Sequence, residues 1–184
     1  MSRDPLFKTA MRFGAYSGLS IFIIFLLVYF AGKNPFTSGL MWLGTAVFIA
    51  FMSYGMRFYR DDISGGSMTY WRGVLAGTLI SIAGYAAFSV LVYVFIVAVD
   101  PSLLERYKTE ALDALEQSRD MIEGKVSGNS IGKYIDKAAG EIDKLTAGTL
   151  AFSDFLNKVT GGFIFSLILS AILRKSKPLF DQQG

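Results

Sequence analysis

Residues 57–77 read Arg57-Phe-Tyr-Arg-Asp-Asp-Ile-Ser-Gly-Gly-Ser-Met-Thr-Tyr-Trp-Arg-Gly-Val-Leu-Ala-Gly77. This is a short charged loop with a Gly-Gly break, followed by a polar and aromatic turn that leads into a long apolar run. Long stretches without charge lie on both sides of it. The position of this loop relative to a membrane therefore fixes the topology of the whole chain.

The composition is that of a membrane protein without the common catalytic side chains. Of the 184 residues, 52% are hydrophobic, and there is no Cys and no His. Sites of the Ser-His-Asp, Cys-His and His-zinc types are excluded because their nucleophile, base or ligand is missing. The adjacent carboxylates Asp61 and Asp62 lack the further ligands that a divalent cation needs. The sequence predicts no enzyme activity, no catalytic residue, no cofactor and no metal site.

Three uncharged stretches are long enough to cross a membrane, for which about 20 residues suffice. A fourth, residues 159–173, is short for a span and is expected to extend back to Phe152. The first could instead be a cleaved signal peptide, but residues 29–32, Tyr-Phe-Ala-Gly, are a poor cleavage site. We therefore predict an all-α integral membrane protein with four transmembrane helices in a single membrane domain. The predicted spans are about residues 12–32, 36–56, 72–99 and 152–173.

The segment of about residues 100–147 has the character of a water-soluble helical pair. Asp100 and Pro101 form a helix start, since aspartate is a good cap and proline suits the first helical position. Apolar residues then recur at spacings of three and four in two sets, separated by a turn-like stretch at residues 124–130. The sets are Leu104, Tyr107, Ala111, Leu115, Ser118 and Ile122, and Ile131, Tyr134, Ala138, Ile142 and Leu145. We expect an amphipathic helical hairpin between spans three and four, whose stripes pack together or onto partners.

Local signals predict where two of the spans begin. Pro35 cannot lie inside a helix, so a tight turn follows the first span, and Thr37 is expected to cap the second. Because this connection is short, the first two spans should form an antiparallel hairpin. After the Gly65-Gly66 break, Ser67 is expected to cap a helix that starts at Met68.

Basic residues predict the orientation of the spans, because short loops rich in Lys and Arg stay in the cytoplasm. The N-terminal segment, the 57–72 loop and the C-terminal tail each hold three basic residues, whereas the connection at Lys33 holds one. Four spans place the first three regions on one side and Lys33 on the other. The longer 100–158 segment translocates largely regardless of its charge. We predict a multi-pass protein of the bacterial inner (cytoplasmic) membrane with both termini inside and the helical hairpin outside.

Small residues four positions apart recur in the predicted spans and let helix backbones approach closely. The candidate helix-packing series are Gly14 and Gly18, Ala46 and Ala50, Gly73, Gly77 and Ser81, and Gly162, Ser166 and Ser170. The pattern indicates packing within a four-helix bundle. A dimer or partner face is the alternative.

The loop residues Arg57, Arg60, Trp71 and Arg72 are candidates for contact with lipid or with a partner. Basic side chains meet anionic headgroups, and tryptophan favours the membrane interface. The two aspartates of the loop are expected to pair with Arg57 and Arg60. The Gly-Gly turn matches no phosphate-binding motif.

Asp154 and Lys158 form the candidate intramembrane ion pair. They stand four residues apart in the favourable order for a helix, and ionisable residues inside a membrane often carry function. The alternative is an ordinary interfacial pair at the start of the fourth span. Apart from Arg12 and Arg72 at the span ends, no other charge falls inside a predicted span.

The loop residues also carry a family resemblance. Residues 59–62, Tyr-Arg-Asp-Asp, and residues 65–73, Gly-Gly-Ser-Met-Thr-Tyr-Trp-Arg-Gly, resemble a group of uncharacterised bacterial four-span membrane proteins, the domain of unknown function 4199 family. The Asp100-Pro101 exit from span three and the order of spans are similar as well. The resemblance implies the same architecture and an inner-membrane location. It supplies no activity and no catalytic residue.

These features favour an interaction or scaffold subunit that is not an enzyme and that acts through helix packing and its outer hairpin. Its partners would be the lipid bilayer and either further copies of itself or another membrane protein, with no nucleic acid. The alternative is a small oligomeric transporter or channel with Asp154 and Lys158 near the pathway. An intramembrane enzyme would need paired carboxylates or a Ser-Lys dyad in facing positions, and the sequence offers neither.

Overall fold

The computed structural model describes residues 4–123 and 129–175, and the regular structure in these residues is helical. Arg3, Lys177 and Pro178, and most of the expected turn at 124–130, lie outside the described residues. Six α-helices are present in the described part. They are α1 (Pro5–Phe30), α2 (Trp42–Phe58), α3 (Tyr70–Ala98), α4 (Ser102–Glu123), α5 (Asn129–Asp143) and α6 (Ala147–Leu173).

Four helical segments are long and apolar enough to cross a membrane, which confirms the prediction of a helical protein with four candidate spans. They are α1, α3, α6 and the continuous segment Gly39–Ile63 around α2. This segment begins with a 3₁₀ turn at Gly39–Met41 and ends with a π-helical turn at Tyr59–Ile63.

Helix α3 is the centre of the bundle, because α1 and α6 both pack along its length. The α1–α3 contact is parallel: Gly14 lies against Ala83, and Gly18 lies against Ala87. The α3–α6 contact is antiparallel, since Gly73 faces Ser170 and Gly77 faces Ser166 (as Ser81 faces Gly162). Close approach at small residues provides van der Waals contact that lipid tails cannot replace.

Helix α2 closes the bundle as the antiparallel neighbour of α1. The ring of Phe13 lies 5.6 Å from the ring of Tyr54 and 5.5 Å from that of Phe58. At the opposite end of the pair, Gly44 lies against Ile21. These contacts give the first two spans the hairpin arrangement that the short connection predicts.

The bundle has two ends, which we name by their chain segments. The Gly-Gly end consists of the start of α1, the end of α2, the start of α3 and the end of α6. The α4 end consists of the opposite termini of these helices. The two tryptophans are both exposed and lie at the two ends, Trp42 at the α4 end and Trp71 at the Gly-Gly end. Tryptophan at both ends of a bundle is typical of the two interfaces of a membrane.

The start of α3 differs from the sequence prediction. The helix begins at Tyr70 instead of Met68, because Met68 exchanges two backbone hydrogen bonds with Lys175, at 2.9 and 3.0 Å. These bonds hold Met68 in an extended pairing and bury its side chain. Ser67 is not the cap; its hydroxyl donates to the carbonyl of Ser64 at 3.4 Å.

The start of the second span also differs. Ser38 caps it, because its hydroxyl oxygen accepts a hydrogen bond from the backbone N–H of Leu40. Thr37, the expected cap, instead directs its hydroxyl to the carboxylate of Glu110 in α4. A contact with a residue 73 positions away in the sequence therefore replaces the capping role that local rules assign to Thr37.

Helices α4 and α5 occupy the segment for which the sequence predicts two amphipathic helices, and they contact each other. On α4, the stripe residues Leu104, Tyr107, Ala111, Leu115 and Ser118 are half-buried, and Tyr107 packs against the core. On α5, Ile135 is buried and Ile142 is half-buried. Leu103 in the first turn of α4 is completely buried, which seats this helix on the bundle.

Candidate functional site

The loop between α2 and α3 reverses the chain at the Gly-Gly end. Gly65 and Gly66 both have positive φ angles, of 64° and 78°. Residues with a Cβ atom rarely adopt this conformation, whereas glycine adopts it at no steric cost. The N–H of Gly66 donates to the carbonyl of Arg60 at 2.9 Å, which closes the turn.

Arg60 ties this loop to the end of α6. Its Nε and Nη2 atoms donate to the two carboxylate oxygens of Asp61, at 2.7 and 2.9 Å. Its Nη1 atom donates to the carbonyl of Leu173, the last residue of α6, at 3.2 Å. A cation is favourable at a helix C-terminus.

A polar cleft of about 570 Å³ opens at the Gly-Gly end, and we call it the Gly-Gly cleft. Buried Tyr59 and Met68 form its base, while exposed Arg72 and Lys175 stand at its edge. The structure thus brings Lys175 to Arg72 through the backbone pairing of residue 68 with the tail. The sequence does not reveal this neighbour, because 103 positions separate the two residues and no local pattern links them.

The predicted lipid-contact residues do not form one cluster. Arg72 lines the Gly-Gly cleft, and Trp71 beside it points away from the protein with 74% of its surface exposed. Arg60 is held by Asp61 and Leu173, as described above. Arg57 lines a separate, smaller cleft together with Asp61 and Asp62.

Asp154 and Lys158 form an ion pair on α6, and their side chains are 18% and 29% exposed. The Lys158 ammonium also lies 5.4 Å from the centre of the Phe88 ring on α3. Because α6 begins at Ala147, five residues before the predicted span, Lys158 lies about 17 Å along a helix of about 40 Å. The pair therefore lies within the segment Ala147–Leu173, the fourth candidate span, in its first half.

The small-residue series have different environments. Gly14, Gly18, Gly73, Gly77, Gly162 and Ser166 all lie at the contacts of α3 with α1 or α6. A Cβ atom on Gly18 would lie 2.4 Å from the carbonyl oxygen of Gly84, so only glycine fits there. Ala46 and Ala50 on α2, in contrast, are exposed on the outside of the bundle.

A polar cluster at the α4 end was not predicted as a site. The Asp100 carboxylate accepts hydrogen bonds from the Tyr29 hydroxyl and from Arg106, both at 2.8 Å. It also accepts from the backbone N–H and the hydroxyl of Ser102, at 3.0 and 2.5 Å. The Ser102 hydroxyl and then the Tyr29 hydroxyl lower the pKa of Asp100. The sequence marks Asp100 only as a helix cap, whereas here it joins α1, α3 and α4.

Comparison with known proteins gives one match. The family model described as protein of unknown function (DUF4199) matches residues 12–175. This range includes α4, α5 and all four candidate spans, of which only the first residues of α1 are left out. No curated protein and no solved structure matches the chain.

Proposed function

The chain belongs to the DUF4199 family, and we propose that it is a non-enzymatic integral membrane protein that acts as an interaction or scaffold subunit. We place it in the bacterial inner membrane, with both termini in the cytoplasm and with α4 and α5 outside. Its partners would be lipid and either further copies of the chain or another membrane protein.

The observation that carries this proposal is the attachment of α4 to the bundle through side-chain contacts. Asp100 joins Tyr29, Ser102 and Arg106, and the ring of Phe36 packs 5.5 Å from the ring of Tyr107. Helix α4 is thereby fixed to the turn between the first two spans. Beyond this anchor, α4 and α5 expose charged side chains to solvent, an arrangement suited to holding a binding surface at a defined position.

The chemistry of the described residues supports a role without catalysis. Within residues 4–123 and 129–175, no three of the Asp and Glu side chains are grouped as a metal ion would require. Arg60 and Asp61 form an ion pair at the Gly-Gly end, and Asp154 and Lys158 form an ion pair in α6. These four charges are thus used in structural contacts.

The proposal is tested by crosslinking in native membranes. Lys137 and Glu141 form an exposed pair on α5, with side chains 75% and 72% exposed. Exchanging them, Lys137→Glu with Glu141→Lys, preserves the pair and the total charge but alters the surface. We expect the exchange to reduce recovery of the crosslinked partner, while Asp62→Asn at the other end of the bundle leaves it unchanged. Equal recovery from all three proteins contradicts an interaction role for the outer helices.

A second function, that of a small oligomeric transporter or channel, is favoured by one observation. The Asp154–Lys158 pair lies inside the fourth candidate span, where ionisable residues often mark a pathway. If the protein gives flux in proteoliposomes and Asp154→Asn abolishes this flux, the result would support the transporter and contradict the scaffold. A monomer in mild detergent that shows no flux would contradict the transporter.

A further inference from the structure

We propose that the chain binds one anionic phospholipid in a site with two adjoining parts. The Gly-Gly cleft receives the phosphate between Arg72 and Lys175. An apolar groove between α1 and α3 receives an acyl chain. The inference rests on the proposed membrane location and is independent of the scaffold role.

The cleft has the charge and the hydrogen-bonding groups that a phosphate requires. Arg72 and Lys175 supply two cations at its edge, and Ser64 and Thr69 supply hydroxyl groups. The one carboxylate in the lining, that of Asp4, accepts the backbone N–H of Leu6 at 3.0 Å and caps α1. The two cations therefore outnumber the carboxylate. Each basic residue near a membrane surface strengthens binding of anionic lipid about fivefold.

The groove has the size and the lining that an acyl chain requires. Its volume is about 600 Å³, and all its lining side chains are apolar. Phe7 and Met11 of α1 form one wall, and residues 79–91 of α3 form the other. Alanine at positions 83, 86 and 87 leaves the furrow between these walls unfilled.

The spacing along α3 places the two parts on one line. Leu79, Ala83, Ala86 and Val90 follow Arg72 by 7, 11, 14 and 18 residues, positions that share one face of a helix. From Arg72 to Ala86 the rise along the helix is about 21 Å. One leaflet of a bilayer, headgroup included, is about 20–22 Å thick. A phosphate at Arg72 thus allows an acyl chain to reach the alanines.

Helix α1 bridges the remaining gap between the cleft and the groove. The parallel contacts of Gly14 with Ala83 and of Gly18 with Ala87 define the register of α1 against α3. Carried back along both helices, this register places Phe7 level with Ala76, about one turn above Arg72. Phe7 lines the groove, and the preceding Asp4 and Pro5 line the cleft.

The occupant is a phospholipid and not a second copy of the helix bundle. An apolar helix would fill the groove but bring no anion to Arg72 and Lys175. The exposed indole of Trp71 lies next to Arg72 in sequence, at the headgroup depth that tryptophan favours. The basic end and the apolar length of the site together match the two halves of an anionic lipid.

Native mass spectrometry of the full chain, released from detergent micelles, tests the site. The probes are phosphatidylglycerol and phosphatidylcholine with identical acyl chains. For the wild type we expect phosphatidylglycerol to bind about 25-fold more tightly, from two basic residues at about fivefold each. Arg72→Gln and Lys175→Gln should each reduce this preference about fivefold, whereas Arg57→Gln, which lies outside the cleft, should not.

The groove is tested with Ala86→Phe and its matched control Ala50→Phe, an exposed alanine on α2. Filling the groove should weaken both lipids at least about tenfold, since about two displaced methylene groups suffice for that loss. The control should bind both lipids as the wild type does. Glycerol 3-phosphate, which has the headgroup without the chains, should not displace the lipid at equal concentration.

Three results would overturn the proposal. They are equal binding of the two lipids by the wild type, displacement by glycerol 3-phosphate, or a dimer that Ala86→Phe dissociates while lipid binding persists. The wild-type comparison requires no variant to fold. Carbonate extraction of membranes, measured in parallel, separates a failed lipid site from a failed membrane location.

Discussion

A Cβ atom placed on Gly162 would lie 2.5 Å from the hydroxyl oxygen of Ser81 and 2.8 Å from its Cβ atom. The adjacent Gly161, in contrast, has no atom of another element within 4 Å of such a position. Two neighbouring glycines of α6 therefore differ in environment: one lies at the contact with α3, and the other lies away from it. Gly162 and Ser81 continue the antiparallel series that begins with Gly73 and Ser170.

This pair gives a matched test of the bundle. We expect Gly162→Ala to lower the free energy of unfolding by about 1–3 kcal/mol, because the methyl group has no space between the helices. Gly161→Ala should be neutral or stabilising by up to about 1 kcal/mol, since alanine favours the helix over glycine. Unfolding of the purified protein by added SDS in mixed micelles measures both. Equal effects of the two variants would show that α3 and α6 do not pack here.

Much of this architecture could be predicted because it depends on local composition. The four apolar stretches, the cap at Asp100 and the small-residue series are visible in the sequence, since each reflects a helix period or a helix end. The small-residue series did not reveal which helices meet. Gly14 of α1 contacts α3, and Gly73 of α3 contacts α6, whereas Ala46 faces outward. Which small residues meet depends on helix orientation, which no local pattern encodes.

The differences arise where distant segments compete with local rules. Ser67 fits the profile of a helix cap, but the pairing of Met68 with Lys175 delays the helix by two residues. Thr37 is drawn to Glu110 in the same way. The Gly-Gly cleft could not be predicted for the same reason, because Lys175 reaches Arg72 only through that long-range backbone pairing.

The cluster at the α4 end predicts a dependence of stability on pH. The pKa of Asp100 is lower in the folded protein than its ordinary value of about 3.9. A lowered pKa stabilises the fold above the unfolded value, and this stabilisation is lost as the pH falls through the folded value. We therefore expect the melting temperature to fall as the pH drops below about 5, and Asp100→Asn to reduce this dependence while lowering the melting temperature at pH 7.

A further variant tests whether the acid transition belongs to Asp100. Ser102→Ala should raise the pH of the transition, because the Ser102 hydroxyl is the largest cause of the shift at Asp100. If Asp100→Asn leaves the acid transition unchanged, the transition arises from other groups.

The Asp154–Lys158 pair should be energetically coupled beyond the level of a surface pair. Its side chains are only 18% and 29% exposed, and charges shielded from water interact more strongly than charges in water. A double-mutant cycle with Asp154→Asn and Lys158→Met should give a coupling of about 1–3 kcal/mol. The exposed Lys137–Glu141 pair, also four residues apart, should give no more than about 0.5 kcal/mol. Similar couplings for the two pairs would place Asp154 and Lys158 in contact with water.

The orientation of the chain can be read with single cysteines, because the natural sequence has none. Lys137 on α5 and Asp62 at the Gly-Gly end are both exposed, so a thiol at either position is open to a maleimide reagent. With both termini inside, Lys137→Cys should react with a membrane-impermeant maleimide in intact cells, after the outer membrane is made permeable. Asp62→Cys should react only once the inner membrane is also disrupted. The reverse pattern would invert the topology, and it would also place the Gly-Gly cleft with Arg72 and Lys175 at the outer leaflet.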